Sequence, residues 1–189
     1  SFLKECSLIA YVSPKDREGG KLFRTNFIAS SLFRKKVCED AGLFPPFRAA
    51  EDRIFMEKVR AFGAKTVYAD RAVVYWDIPD SIGGIFRRFC EFSYHDIIAG
   101  RAKDWHYSVA KTYIALAALA ALGIFVDPVF WLGVPLVWIA RLANIYGKRR
   151  ADMKRSFIFD PRYALTISFI VFVTDFALIC GSMGCLWKR

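Results

Sequence analysis

Apolar residues are unevenly distributed along this chain, and their spacing predicts two differently organised parts. The second part contains three long apolar runs, at about residues 109–126, 128–143 and 163–187, which predict helices. The first part alternates shorter apolar and polar stretches. We therefore predict two domains, residues 1–106 and a membrane region of apolar helices at residues 107–189.

The first two apolar runs are separated by Asp127 and Pro128, a pair typical of a turn. Each run is shorter than the roughly 20 residues that cross a bilayer perpendicularly. They predict a helical hairpin that either spans the membrane or re-enters it. The third run is long enough to span alone, although it carries Asp175 near its centre. A carboxylate inside a bilayer is costly and normally faces protein or water.

Basic residues cluster between the second and third apolar runs. Within residues 141–155 they are Arg141, Lys148, Arg149, Arg150, Lys154 and Arg155, against the single acid Asp152. The positive-inside rule places this loop in the cytoplasm, and the hairpin then places the first part on the same side. The pattern predicts a multi-pass protein of the inner (plasma) membrane. Attraction of the loop to anionic lipid headgroups is compatible with that topology.

The first part predicts a mixed α/β fold. Strands rich in β-branched and aromatic residues are expected at 22–33, 65–70 and 72–78, and helices at 34–42, 50–63 and 81–100. The helix at 50–63 is the clearest of these elements, because Phe55, Val59 and Phe62 share one face. It also has two acids in its first turn and Gly63 at its end.

Composition narrows the possible functions. A hydrophobic content of 55% excludes a disordered chain. The net charge is +10, but residues 1–108 hold 18 basic and 14 acidic residues, so most of the excess lies in the membrane part. This distribution argues against nucleic-acid binding. Five cysteines without a C-x-x-C pair predict free thiols rather than a zinc site or a disulfide framework.

Two carboxylates are the first candidates for chemistry. Glu51 and Asp52 are adjacent at the start of a predicted helix, where the helix dipole favours their ionised forms. An ionised carboxylate at a cleft can accept a proton from a hydroxyl group. The same pair is also common in the first turn of a helix without any catalytic role.

Basic and histidine side chains are weaker candidates. Arg87 and Arg88 on the following helix could hold a phosphate or simply face solvent. His95 and His106 are too far apart in sequence to suggest one site, and we expect each to be packed or interfacial.

The order of these elements resembles the C-terminal half of the catalytic domain of family 2 glycosyltransferases, over residues 20–106. The matching features are Ala29-Ser30-Ser31 with Arg34, Gly42-Leu43-Phe44, Glu51-Asp52, Gly63, and Val67-Tyr68-Ala69 through Val73-Val74-Tyr75-Trp76. The resemblance implies an α/β fold, a partial GT-A (nucleotide-diphospho-sugar transferase) domain followed by transmembrane helices.

The resemblance also implies an inverting transfer of a sugar from a nucleotide-sugar donor to a lipid-linked or glycan acceptor, in polysaccharide or glycolipid synthesis. By similarity, Asp52 is the catalytic base, and Glu51 positions Asp52 or the acceptor. The remaining substrate-binding residues would be those of the cleft floor and of a phosphate site: Ala29, Ser30, Ser31, Arg87 and Arg88.

Two departures from the family pattern qualify this expectation. The donor-binding half and its Asp-x-Asp motif do not occur in the sequence, so we expect a fragment that is inactive alone. A divalent metal, Mg or Mn, is expected in the complete enzyme with ligands mostly outside this chain. Trp76 stands where many relatives have a histidine. The rival hypothesis is a non-catalytic membrane protein that binds lipid headgroups or a protein partner.

Overall fold

The computed structural model describes residues 2–11, 17–18, 21–22, 31–65, 67, 79–149 and 160–187. Its helices are α1 (Phe2–Tyr11), α2 (Lys35–Asp40), α3 (Glu51–Ala61), α4 (Ile82–Ile98), α5 (Ala102–Phe125), a 3-10 helix (Pro128–Leu132), α6 (Gly133–Arg149) and α7 (Pro161–Trp187). Two-residue strands, β1 (Arg17–Glu18) and β2 (Lys21–Leu22), pair antiparallel.

The predicted α/β GT-A fold is wrong. Helices make up 79% of the described residues, and no strand among those residues is longer than two residues. In the described helices, aromatic and β-branched side chains pack between helices rather than in a sheet. The predicted strands at 22–33, 65–70 and 72–78 lie largely outside the described residues. The proposed division into two domains stays a prediction.

Helix α3 is close to its predicted position and is amphipathic. It buries Phe55, Met56 and Val59 on one face. The rings of Phe33 and Phe44 pack on Phe55 with centroid distances of 5.2 and 4.1 Å. These aromatic contacts hold the preceding loop and α3 together.

Helices α4 and α7 form the principal packing interface of the described residues. Apolar and small side chains spaced along one face of α4, including Ile85, Phe89 and Ser93, are buried. They meet Ala177 and Leu178 of α7 in one apolar cluster that also includes Val109 of α5. Burial of this stripe supplies the hydrophobic free energy that fixes α4 against α7.

The closest approach of these two helices is at Gly181. A β-carbon at this position would overlap the backbone carbonyl oxygen of Cys90 and crowd Ser93. Only glycine therefore permits α4 and α7 to lie at this separation.

A second cluster covers the other half of α7. Cys6 of α1 packs with Ile167, Ile170 and Val171, and side chains of α6 lie against the same cluster. Burial raises the pKa of the Cys6 thiol to about 11, so the side chain is neutral at physiological pH. All five cysteines are free thiols.

Three helical segments are long and apolar enough to cross a membrane: His106–Phe125, Pro128–Gly147 and Pro161–Cys185. The chain is thus a membrane-associated protein by the length and composition of its helices. The three segments differ in the fraction of their residues that other parts of the protein bury. Within their most apolar windows, 11% of the first, none of the second and 44% of the third is buried. The first two segments expose their apolar side chains, whereas α7 is the central helix.

The predicted hairpin between the first two apolar runs forms around Asp127. Its Oδ1 atom accepts a hydrogen bond from the backbone N–H of Val129 at 2.8 Å, and Pro128 opens the 3-10 helix. Gly123 lies directly against the Trp131 ring. The chain therefore reverses within a few residues, and α5 and α6 become neighbours.

We predict that Gly181→Val destabilises the protein by about 1–3 kcal/mol, because the new side chain must displace the α4 backbone. The apparent Tm of the detergent-solubilised protein, followed by circular dichroism, measures the effect. Gly184→Val is the matched control, since a β-carbon there meets no atom within 4 Å. Equal losses in the two variants would contradict the close α4–α7 packing.

Candidate functional site

The carboxylate pair opens α3 immediately after a strained residue. Ala50, the N-cap of α3, has φ 69° and ψ −9°, in the left-handed region, and its side chain is buried. For a residue with a β-carbon this conformation costs about 1–2 kcal/mol. Strained backbone of this kind is concentrated at functional sites. The chain therefore turns sharply at Ala50 and enters α3 at Glu51 and Asp52. We call these three residues the α3 corner.

Asp52 is partly buried, and its surroundings shift the pKa of its carboxyl group in opposite directions. Burial raises the pKa of its carboxyl group above the ordinary value. A hydrogen bond from the backbone N–H of Arg53 to Oδ1, at 2.7 Å, and the positive charges of Arg53 and Arg101 oppose this rise. The net direction is upward, so Asp52 is a stronger base than an exposed aspartate.

Glu51 adds a polar atom whose hydrogen-bonding capacity is unused. Its Oε2 atom is buried and has no hydrogen-bond partner within the described part of the chain. Buried carboxylate oxygens usually have a partner, since an unsatisfied one costs free energy. This oxygen therefore keeps an acceptor capacity that no described residue uses.

The other predicted site residues do not join this pair. Ala29 and Ser30 lie outside the described residues, and Ser31 is half-buried at the start of a described segment. Arg87 on α4 is exposed, and the guanidinium of Arg88 lies 5.5 Å from the centre of the Phe92 ring. In the regions described, no hydrogen bond or ion pair connects either arginine to the carboxylates.

Two ion pairs attach the α3 region to the helices that lead to the membrane segments. Arg48, just before α3, pairs with Glu91 of α4 at 2.9 Å. Arg101, between α4 and α5, donates two hydrogen bonds to Glu57 of α3 at 2.7 and 2.8 Å. Glu57 thereby connects the middle of α3 to the start of α5.

A buried ion pair links two membrane-capable helices, and the sequence analysis named no partner for its acid. One guanidinium nitrogen of Arg141 on α6 lies 2.6 and 2.7 Å from the two carboxylate oxygens of Asp175 on α7. The other terminal nitrogen donates to Thr112 of α5 at 2.8 Å. The side chains are only 15% and 4% exposed. The signal in the sequence was Arg141 itself, at the end of the second apolar run.

A hydroxyl and imidazole cluster joins α4, α5 and α7. Ser93 and Ser182 both donate to the backbone carbonyl of Leu178, at 2.6 and 2.8 Å. Nε2 of His106 lies 2.8 Å from the Ser93 oxygen. Either Nε2 of His106 or the Ser93 hydroxyl can donate in this contact, according to the tautomer of the imidazole. The cluster connects three helices, and His106 is partly buried within it.

Within the described ranges, no group of three or more histidine, cysteine, aspartate or glutamate side chains is arranged to hold a metal ion. The expected divalent metal therefore stays a prediction.

Comparison with protein-family models, with curated proteins and with solved structures finds no match for this chain. The resemblance to family 2 glycosyltransferases stays a prediction that depends on the sequence pattern.

We predict that removing one partner of the Arg141–Asp175 pair is far more damaging than removing both. Asp175→Leu leaves a buried guanidinium without its carboxylate and should cost about 3–5 kcal/mol. Arg141→Met combined with Asp175→Leu should recover most of this loss. The measurement is thermal unfolding of the three proteins in the same detergent. If the double variant is as unstable as the single one, the pair does not account for the loss.

We predict that Asp52→Asn stabilises the protein at neutral pH. The pKa of Asp52 is higher in the folded state than in the unfolded state. At pH values between these two pKa values, the folded protein binds more protons than the unfolded chain. The free energy of unfolding therefore falls as the pH rises through this range. The Asp52→Asn side chain does not ionise, so the variant keeps this stability as the pH rises. Its gain in Tm over the wild type should disappear at acidic pH, below the unfolded pKa. Asp40→Asn, an exposed change at the end of α2, is the control.

Proposed function

We propose that this chain is the membrane-anchored part of an inverting glycosyltransferase in which Asp52 is the catalytic base. The observation that carries the proposal is the corner at the start of α3. It holds a partly buried aspartate with a raised pKa beside a glutamate oxygen that has no partner among the described residues. Perturbed carboxyl groups of this kind are concentrated in active sites.

The proposed step needs one base and one group that orients the acceptor. Asp52 removes the proton from an acceptor hydroxyl as that oxygen attacks the anomeric carbon of a nucleotide sugar. The bond to the nucleoside diphosphate breaks on the opposite face, and the diphosphate leaves with the bonding electrons. Glu51 accepts a hydrogen bond from the acceptor and orients it. Arg87 and Arg88 are proposed to meet a phosphate of the donor or of a lipid carrier.

The membrane-capable helices support an acceptor at a bilayer surface. Helix α3 is tied through Arg101 and Glu57 to the N-terminus of α5, which leads directly into the apolar hairpin. A site held at the end of a membrane helix meets lipid-linked substrates without releasing them into water. We therefore propose a lipid-linked or glycan acceptor in polysaccharide or glycolipid synthesis.

Location and topology belong to the same proposal. We place the hairpin in the inner (plasma) membrane with both ends in the cytoplasm, where nucleotide sugars are made. The support is the excess of basic residues between the second and third apolar runs. A divalent metal is proposed for the complete enzyme, where it would neutralise the leaving diphosphate.

The rival hypothesis, a non-catalytic protein that binds lipid headgroups, also has an observation in its favour. Arg34, Lys35 and Lys36 form an exposed basic group at the start of α2. A basic surface of this kind attracts anionic lipids. Under this hypothesis, Asp52 has no role beyond opening a helix.

The test is sugar transfer in membranes that contain the protein as its own gene encodes it. Radiolabelled UDP-glucose, UDP-N-acetylglucosamine and GDP-mannose serve as donors, and label entering the organic-solvent extract is counted. We expect Asp52→Asn to lower kcat by roughly 10²–10⁴-fold with little change in KM, because the general base is lost.

Asp40→Asn removes an exposed carboxylate and should leave the rate unchanged. Membrane association of both variants, followed by flotation, should match that of the wild type. A transfer rate that survives Asp52→Asn would remove this residue from the base role. Absence of transfer from all three donors would favour the rival hypothesis.

A further inference from the structure

A pocket of about 190 Å³ lies between α5 and α7, and no residue of α3 lines it. Four residues of α5 between His106 and Tyr113 form one wall, and four residues of α7 between Leu178 and Met183 form the other. The α5 residues are spaced i, i+3, i+4 and i+7, so they share one face of their helix. The pocket is therefore a gap between two facing helices.

The walls of this pocket are carbon almost throughout. The Ser182 hydroxyl donates to the carbonyl of Leu178 at 2.8 Å, so it is used within α7. Nε2 of His106 lies 2.8 Å from the Ser93 oxygen, and the hydroxyl oxygen of Tyr113 is fully buried. A bound water needs two to four polar partners, which these walls do not offer. Apolar cavities instead stay dry and admit hydrocarbon, and one of about 150 Å³ holds a benzene ring.

Both walls belong to segments that can cross a membrane, His106–Phe125 and Pro161–Cys185. His106 is the first residue of its segment, and Met183 lies two residues before the end of the other. The pocket therefore lies just inside one surface of the bilayer. It is open to the side, where Met183 is 64% exposed. In a membrane this side faces the hydrocarbon chains of one lipid leaflet.

The pocket also continues an apolar cluster that the protein already forms. Val109 on one wall and Leu178 on the other belong to the cluster that holds α4 against α7. Between helices in lipid, the favourable term is close van der Waals packing, since lipid tails are as apolar as the protein interior. An unfilled gap loses these contacts along its whole lining. A hydrocarbon chain in the pocket restores them and extends the cluster outward.

We propose that this pocket is a binding site for one hydrocarbon chain of a membrane lipid, which completes the contact between α5 and α7. Because the walls present almost no polar surface, the headgroup contributes little, and lipids with zwitterionic and anionic headgroups bind alike. The site differs in this respect from the basic group at the start of α2, whose attraction for lipid depends on charge. The inference does not depend on the proposed sugar transfer.

The test uses the full chain, delipidated in detergent and mixed with an equimolar phosphatidylcholine that carries a diazirine in one acyl chain. Irradiation attaches the lipid to the residues beside it, and mass spectrometry of peptides locates the adducts. We expect the adducts within residues 106–113 and 178–183, the two walls of the pocket. A phosphatidylglycerol with the same label should give the same pattern within about twofold, since no charged contact is involved.

Two variants fill the pocket from opposite walls. Ala110→Phe extends a ring from α5, and Ile179→Phe does so from α7. Each should lower the labelling of the opposite wall at least about threefold, because the ring occupies the space of the lipid chain. Ala117→Phe is the matched control, since Ala117 is an exposed residue of α5 outside the pocket. Equal labelling of the wild type and both filling variants would overturn the proposal, as would adducts spread evenly over α6.

Thermal unfolding gives a second readout that needs no label. Unlabelled phosphatidylcholine at about ten times its Kd should raise the apparent Tm of the wild type and of Ala117→Phe by roughly 3–6 °C. In Ala110→Phe and Ile179→Phe the rise should be less than about a third as large, because the site is already filled. A rise of equal size in all four proteins would count against the pocket as the binding site.

A second copy of the protein is the alternative occupant, and sedimentation in the same detergent distinguishes it from lipid. Pocket adducts on a monomer support the proposal. Absence of pocket adducts, together with a dimer that Ala110→Phe dissociates, would overturn it in favour of a protein partner.

Discussion

The structure depends on how α7 accommodates polar groups in a helix that is otherwise apolar. Asp175 and Thr174 lie near its middle and Ser182 lies beyond them, and lipid offers none of these groups a hydrogen-bond partner. Thr174 is satisfied by its own helix, through the carbonyl of Val171. Asp175 requires a cation, which α6 supplies, and Ser182 joins a cluster with α4 and α5. The ion pair of Asp175 and the hydrogen bonds of Ser182 position the other helices around α7.

This arrangement explains why the three membrane-capable helices are so unequally covered. A charge pair in an apolar interior stabilises little by itself, because desolvation offsets most of its attraction. Its effect is specificity, since only one register of α6 brings Arg141 to Asp175. The residues of α5 from Ile114 to Phe125 and of α6 from Gly133 to Ala140 are apolar apart from the Trp138 indole N–H, so these stretches can remain exposed to lipid. Apolar burial, concentrated in α4 and α7, supplies the stability.

The candidate site is held in a different way. Two ion pairs with exposed partners, Arg48–Glu91 and Arg101–Glu57, join the α3 region to the rest of the described chain. Surface pairs of this kind contribute about 0–1 kcal/mol each. The α3 corner is therefore a region of low local stability next to a well-packed helix pair.

The sequence predicted where the helices lie along the chain better than it predicted which helices contact each other. The positions of α3 and of the apolar helices follow from periodicity and capping residues, which act over a few residues. The α/β expectation is wrong for the described residues, in which aromatic and β-branched side chains such as Phe89 and Ile170 pack between helices rather than in a sheet. Most residues of the predicted strands lie outside the described part of the chain. The partner of Asp175 lies 34 residues away, and the sequence does not specify which faces of two apolar helices meet.

The same limit applies to the candidate site. Adjacency in sequence was enough to select Glu51 and Asp52, but not to predict the left-handed Ala50 before them, since alanine rarely adopts that conformation. Arg87 and Arg88 were selected for their chemistry, whereas Arg101 is the basic residue that bonds to α3. Arg101 is set by the junction of two helices, one of them anchored by Gly181. The position of the Arg101–Glu57 ion pair thus depends on packing some 80 residues farther along the chain.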